Sequence, residues 1–346
     1  MRETKRIKAE AFHRAVCVHG SISKAWKAVD ANRDPPFESG LSWTMARQHY
    51  DAAINALRLK DVRTDARSLA HSPAAKLTDS VRSEVIHEIP AIENGVVIAF
   101  GDCHWTTLKQ PRSLAHEALI TLTRHLKPGF LFCVGDALNM GTVSRHPPLM
   151  WSDTKQPKVV DEIAAGQTYM REIREAAGDP DCYWIRGNHD DRFDKYLAAH
   201  AAAFEGMGAF SLQDQFPDWR MTWRLDVGEQ LSVVHRWHAG IHAAYNNAMK
   251  SGRTIISGDT HALQVRPLNK WGSRSWGIEC GMLGDPNWPC FNYRLGIEGQ
   301  WQPGFAVLTF RDGVMATPEV VEVRDGAAWF RGEPIAGRVR VKAGRG

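Results

Sequence analysis

VVIAFGDCH, residues 96–104, is a run of five apolar residues stopped by Gly101-Asp102, with His104 two positions further on. Such a short continuous apolar run reads as a β-strand buried on both faces. The chain repeats the device twice. LFCVGD (131–136) ends in Gly135-Asp136, and TIISGDTH (254–261) ends in Gly258-Asp259 with His261 two positions on. A buried strand that stops at Gly-Asp delivers a carboxylate to the carboxyl edge of a sheet, where open α/β sheets bind their ligands. The glycine is expected to let the backbone turn sharply just before that carboxylate.

Outward from this stretch the pattern continues. Residues 113–126 place Leu114, Leu119, Leu122 and Leu126 on one helical face, and Lys127-Pro128-Gly129 turns the chain into the strand FLFCV. A helix carrying Ile163, Met170 and Ile173 ends at Gly178-Asp179-Pro180, and CYWIR (182–186) is the next strand. Alternating strands and helices imply parallel strands joined by crossovers. Beyond residue 220 the texture turns to strands: MTWRLDV, LSVVHRW and TIIS, then GFAVLTF and VVEV near residue 320, with a helix expected from about Ala243 to Met249.

Of 346 residues, 43% are hydrophobic and 24% charged, the balance of a soluble globular protein of one large or two domains. No apolar stretch is long enough to span a membrane. The basic N-terminus lacks an apolar run behind it, which argues against a secretory signal and for the cytoplasm. Six cysteines, with no C-x-x-C pair, exclude a disulfide framework and a zinc finger as first readings.

The net charge of +4 is unevenly placed: residues 1–70 hold 13 Lys/Arg against 8 Asp/Glu. Their pattern predicts three short helices, with Gly20-Ser21 before the second and Ser42 capping a third from Trp43 to about Leu59. This is similar to a helix-turn-helix that would present Thr44, Arg47, Gln48 or Tyr50 to nucleic acid. The loop over residues 30–41 is long for that motif, so a plain helical cap is an equal alternative. Residues 71–93 read as a linker, 94–330 as the main domain and 331–346 as a basic tail.

Each loop at the expected sheet edge begins with residues that ligate metals. They are Asp102 and His104, Asp136, then Asn188, His189 and Asp190 in RGNHDDR, then His235 after LSVV, and Asp259 and His261. A mixed Asp/Asn/His set suits Mn, Fe, Zn or similar divalent ions. Two such ions can clamp the attacking and leaving oxygens of a phosphoryl displacement. A single strand ending in Gly-Asp is weak, since a lone Asp there is more often a helix cap. The ordered set D-x-H, G-D, G-N-H-D, H, G-x-x-H is specific.

In that order, across residues 94–265, the chain resembles the calcineurin-like metallophosphoesterases. The resemblance implies a four-layer α/β/β/α sandwich, two stacked mixed sheets flanked by helices, with two divalent metals at one edge. It implies that Asp102, His104 and His261 hold the first metal, that Asp136 bridges, and that Asn188 and His235 serve the second. It also makes His189 the catalytic histidine rather than a ligand. A metal-bound hydroxide would then attack phosphorus in line, with His189 assisting the leaving group.

Two positions depart from the family pattern. The family's His-Gly is here His235-Arg236, and His238, just downstream, is a rival ligand. The family's Gly-His-x-His is here Gly258-Asp259-Thr260-His261. Asp259 either ligates the second metal, tilting it toward Mn or Mg and away from zinc, or only caps a turn beside a weakened site. Arg186, Arg192 and Asn139 are candidates for holding the substrate, with ordinary ion pairing the alternative for the arginines. His116, His125 and His200 read as helix-surface residues. Trp271, Trp276, Trp288 and Trp301 stack bases or wall a substrate groove, or else fill the core of a second sheet.

The expected activity is metal-dependent hydrolysis of a phosphate ester, with Mn the first choice of metal. The basic head favours a phosphodiester of nucleic acid or nucleotide. The layout of a helical head before such a domain is also similar to phage and prophage proteins. The alternatives are a nucleic-acid-binding protein with a degenerate site, and a small-molecule phosphomonoesterase. The oligomeric state is open.

Overall fold

The computed structural model describes residues 85–146, 157–294 and 301–339. The chain divides into Met1–Glu84 and Val85–Gly346. The helices expected over residues 1–70 lie outside the described residues.

Two sheets form the second unit. The larger has nine strands. Its centre is β2 (Gly95–Phe100), β3 (Phe130–Cys133), β4 (Asp181–Ile185) and β5 (Arg220–Thr222), each parallel to the next. On the other side of β2 run β11 (Gly304–Arg311), β13 (Glu319–Arg324), β14 (Ala327–Phe330) and β15 (Glu333–Gly337), all antiparallel, with the short β12 (Val314–Met315) beside β11. The smaller sheet has the order β1 (Ile86–Ile89), β6 (Arg224–Val227), β7 (Leu231–Val234), β8 (Thr254–Ser257), β10 (Ser273–Cys280), β9 (Leu263–Lys270). The alternation of parallel and antiparallel pairs makes both sheets mixed.

The apolar runs are continuous because the large sheet is buried on both faces. Val97, Ala99, Phe132, Tyr183, Ile185, Ala306 and Leu308 point inward between the sheets and meet Leu225, Val233, Ile256 and Ile278 of the smaller one. Their neighbours Ile98, Phe100, Leu131, Cys133, Trp184, Phe305 and Val307 point outward, under α1 (Leu114–Leu126) and α2 (Val159–Ala177). Period-two alternation thus divides each strand between two cores. On the far side, α5 (Ala243–Ser251) packs Ala248 against Ile255 and Leu268. The layers run helix, sheet, sheet, helix, as the sequence predicts. Ser113 caps α1 by accepting from His116 N at 3.0 Å.

Three expectations are corrected. MTWRLDV is two strands, since the chain leaves the large sheet at Thr222 and enters the small one at Arg224, with Thr222 Oγ1 donating to Arg224 O at 3.0 Å across the corner. The linker assigned to 71–93 contains β1, whose residues pair with β6 and whose Ile89 joins the inter-sheet core. The tail assigned to 331–346 contains β15, paired with β14. Both strands are short edge strands, too polar to show an apolar run.

Two shorter helices, α3 (Asp191–His200) and α4 (Leu212–Gln215), follow β4. His116 of α1 is not on the surface. It is buried against Trp105 (5.8 Å between ring centroids) and Tyr169 (5.1 Å). His125 and His200 are exposed as expected. Of the four tryptophans, Trp271 is fully exposed, and Trp276 packs on the inter-sheet core.

Candidate metal centre

The loops after β2, β3, β4, β7 and β8 converge at one edge. Backbone hydrogen bonds extend the sheet past its strands: Asp102 N donates to Gly135 O at 2.9 Å, Cys103 N to Asp136 O at 2.9 Å, and Gly258 N to His235 O at 2.9 Å. Asp102, His104, Asp136, Asp259 and His261 all have positive φ, between 47° and 70°. Left-handed backbone is uncommon for residues with a side chain, and it concentrates at functional sites.

This refines the role of the glycines. Gly135 has φ 100° and does make a turn. At Gly258 the left-handed residue is the aspartate that follows, and the glycine is needed for space. A Cβ at Gly258 would lie 2.8 Å from Asp102 Oδ2 and 3.2 Å from His235 Nδ1.

The side chains brought together are Lewis bases. His104 Nε2 faces His261 Nε2 at 3.3 Å, and His261 Nε2 lies 3.3 Å from Asp102 Oδ1. His235 Nε2 lies 3.3 Å from Asp136 Oδ2 and 3.9 Å from Asp259 Oδ1. Three groups of donor atoms are each close enough to share one ion: Asp102, His104 and His261; His104, Asp136 and His189; Asp102, Asp136 and His235. Asp102 Oδ1 and His235 Nε2 are buried without a hydrogen-bond partner. A buried polar atom left without a hydrogen-bond partner is costly unless something else meets it. Carboxylates and imidazoles aimed at one another fit a divalent cation, so the residues suit the metals the pattern predicts.

Electrostatics agree. Burial pushes His104 well below the usual histidine range, with His189 adding to the effect, so it is a neutral ligand-type imidazole. Burial alone would raise Asp136, but His235, His189 and His104 outweigh it and hold the carboxyl well below its ordinary value. Burial would likewise lower His235, but Asp136 outweighs it and pushes His235 up to about 10. The Asp136–His235 contact is thus an ion pair standing where a cation can replace the proton.

His189 lies on the rim of the cluster. Its backbone N–H donates to Asp136 Oδ1 at 2.8 Å, and its Nδ1 is 2.8 Å from Asn139 O. Arg192 reaches the same carbonyl through Nη1 at 2.9 Å and His189 Nε2 through Nη2 at 3.0 Å. A guanidinium only donates, so Nε2 accepts and Nδ1 carries the proton. Asn139, His189 and Arg192 therefore form one unit.

Other predicted residues separate from it. Asn188 is exposed at the mouth. Arg186 pairs with Asp194 and lies 3.9 Å from Asp191, with its guanidinium over Trp223, so it is committed to α3. Asp190 is no ligand. Its carboxylate accepts from Gly187 N at 2.9 Å, Asp136 N at 2.8 Å, Ala137 N at 3.1 Å, Leu138 N at 3.3 Å and Trp184 Nε1 at 2.9 Å, and so braces the loops that carry Asp136 and His189. His238 is half-buried outside the cluster, its N–H donating to Asn247 Oδ1 at 3.0 Å.

Phe291, Glu279 and Glu162 were not singled out in the sequence, and Trp288 and Trp301 were named there without a fixed place. Phe291 walls His104 at 4.9 Å and His261 at 5.8 Å between ring centroids, and Trp301 covers His261 at 4.3 Å. Trp288 Nε1 donates to Thr106 Oγ1 at 3.0 Å, just beyond His104. These aromatics belong to the site rather than to a sheet core. Glu279, raised by burial to about 7, accepts from Thr260 between Asp259 and His261. Glu162 on α2, raised by burial to about 8, accepts from Met140 N and Gly141 N. Both had a signal: a lone acid inside the apolar run WGIEC, and an acid on the apolar stripe of a helix.

The calcineurin-like phosphoesterase family model matches residues 95–274, just over half of the chain. The chain belongs to that family. It is similar to the gene 54 proteins of Mycobacterium phages L5 and D29. The first is 26% identical over 232 residues, 61% of this chain and 88% of the phage protein; the second is 25% identical over 233 residues, with the same coverage. Among solved structures, the vacuolar protein sorting 29 protein of Cryptosporidium parvum aligns with 68% of this chain and 95% of its own, at 13% identity and a TM-score of 0.38. Family membership and the buried Asp/His cluster together support a metal-dependent phosphoesterase. Among the described residues no helix is long and apolar enough to cross a membrane.

Proposed function

We propose that the chain hydrolyses a phosphodiester of nucleic acid or nucleotide at a centre of two divalent ions, manganese first among them. One observation carries this reading: Asp102, His104, Asp136, His235 and His261 are buried from both sheets at one edge, with acceptor atoms facing one another. Bound divalent ions would supply Lewis acidity and a nucleophile at neutral pH. Asp102, His104 and His261 would hold one ion, with Asn188, His235 and Asp259 at the second and Asp136 between them.

The chain's own residues then position and transfer a proton. Asn139 O fixes the His189 ring through Nδ1–H, leaving Nε2 toward the cluster. Burial keeps His189 below its ordinary value, so the free protein holds it neutral. The negative charge of a bound phosphate ester would favour uptake of a solvent proton on Nε2, and His189 would then pass that proton to the leaving oxygen as the acid of the reaction. Arg192, whose Nη2 would leave Nε2 as that proton enters, would supply fixed positive charge beside it.

A second reading is favoured by the Arg236–Asp259 ion pair, 3.3 Å between Nε and Oδ2. Arg236 occupies one oxygen of Asp259, which weakens the second ion's site and would leave a nucleic-acid-binding protein without turnover. Metal-stripped protein titrated with manganese against a chromogenic phosphodiester separates the two. Saturable, metal-dependent turnover supports the enzyme. Two bound ions without turnover on any diester would remove it, and no second ion would favour the binder.

A further inference from the structure

A cavity of about 390 Å³ opens beside the centre, between α3 and the chain after Met140. That volume lies within the range of small-ligand sites, about 300–1,000 Å³. It is contiguous with the centre through three residues: Asn188, which precedes His189; Arg192, which donates to His189; and Arg236, which pairs with Asp259. Arg145, Lys195 and Tyr196 complete the part that matters, and no carboxylate is among the described residues that line it.

Four cations in one concave wall exceed what a single scissile phosphate needs. Arg192 uses two of its N–H groups on Asn139 O and His189. Lys195 is 78% exposed, with its partner Asp191 buried behind it, and Arg236 is 61% exposed. Lys195 Nζ sits on Asp191 and Arg236 Nε on Asp259, so each offers the cavity its remaining N–H groups. Tyr196 is 45% exposed and is backed by His200, 4.5 Å between ring centroids. A positive wall beside a supported aromatic face matches a nucleotide, with phosphate on the cations and base on the ring.

We propose that this cavity is a subsite for the nucleotide unit next to the scissile phosphate. Its neighbouring phosphate lies among Arg145, Lys195 and Arg236, and its base lies on Tyr196. The proposal rests on the phosphodiesterase reading above and deepens it: the substrate is a chain with at least two successive phosphates, not an isolated ester.

The test uses the full-length protein and two probes. Manganese-loaded protein is assayed on the dinucleotide TpT, which has one phosphate, and the trinucleotide TpTpT, which has a neighbouring one. Metal-stripped protein is titrated against fluorescein-labelled TpTpT by anisotropy. The wild type should prefer TpTpT over TpT in kcat/KM, and Arg145→Ala/Lys195→Ala should lower that ratio about tenfold. The slope of log affinity against log salt should flatten by about 0.7 for each phosphate that the variant no longer neutralises. Ala199→Glu, which places a carboxylate in the cavity without removing a cation, should weaken trinucleotide binding as well. An unchanged ratio and unchanged binding in both variants would overturn the subsite. If no diester is hydrolysed with any metal, the enzyme reading fails, and the anisotropy titrations alone decide the cavity.

Discussion

Arg236 Nε lies 3.3 Å from Asp259 Oδ2, while the other oxygen of Asp259 lies 3.9 Å from His235 Nε2. The two positions at which the chain departs from the family pattern thus meet in space. Asp259 is shared between a cation of the protein and the place where a metal would bind. Arg236 is largely exposed, and such a pair is worth about 0–1 kcal/mol. Arg236→Ala should therefore tighten binding of the weaker manganese ion, by about fivefold at most, in calorimetric titration. Asp259→Ala should loosen it. Equal affinity in both variants and the wild type would show that Asp259 is not a ligand.

His189→Ala and Asp136→Ala should fail differently. His189 stands on the rim and is proposed to move a proton, so its loss should cut turnover by about 10²–10⁴-fold with metal content nearly kept. Asp136 faces His235 and His104 alike and should lose both activity and metal. Elemental analysis after desalting measures the second quantity. Equal metal loss in the two variants would make His189 a ligand.

Asp190 should be a stability residue. Its two oxygens accept five N–H groups from two loops and Trp184. In Asp190→Asn one oxygen becomes an NH2 that faces donors. Hydrogen bonds to a charged, buried acceptor contribute about 1.5–3 kcal/mol each, so a loss of about 3 kcal/mol or more is expected in urea unfolding. A loss below about 1 kcal/mol would mean the loops are held by other contacts.

His116 gives a pH dependence of stability. Burial lowers it from 6.5 to about 4, against the opposing pull of Glu172, while Arg112 lowers it further. The unfolded chain takes up the proton at about pH 6.5 and the folded one only near 4. The contribution is therefore complete above about pH 6.5 and is lost as pH falls toward 4, on the order of 3 kcal/mol in total. His116→Phe should flatten the urea midpoint over that window relative to the wild type. Parallel pH profiles for the two proteins would show that His116 is not the titrating group.

The inner strands were legible because burial on both faces leaves only apolar residues to fill them. VVIAF, FLFC and TIIS could therefore be placed to within a residue. The short edge strands β1 and β15 were not, since their polar residues satisfy a ladder without filling a core. Trp223 divides MTWRLDV between two sheets, and no local pattern shows such a crossing.

By itself, the sequence determined the order of the inner strands and the long helices between them, the family and the set of ligand-type residues. Those rest on short-range periodicity and on residue chemistry at strand ends. The tertiary structure alone decided which of those residues meet. It turned Asp190 inward to backbone donors, drew Arg186 to α3, buried His116, set Phe291 and Trp301 against the ligand-type histidines, and joined Arg236 to Asp259. Each is a contact between residues distant in the chain or a choice of side-chain direction. Such choices are made by the packing of two sheets and their loops, which no local stretch of sequence contains.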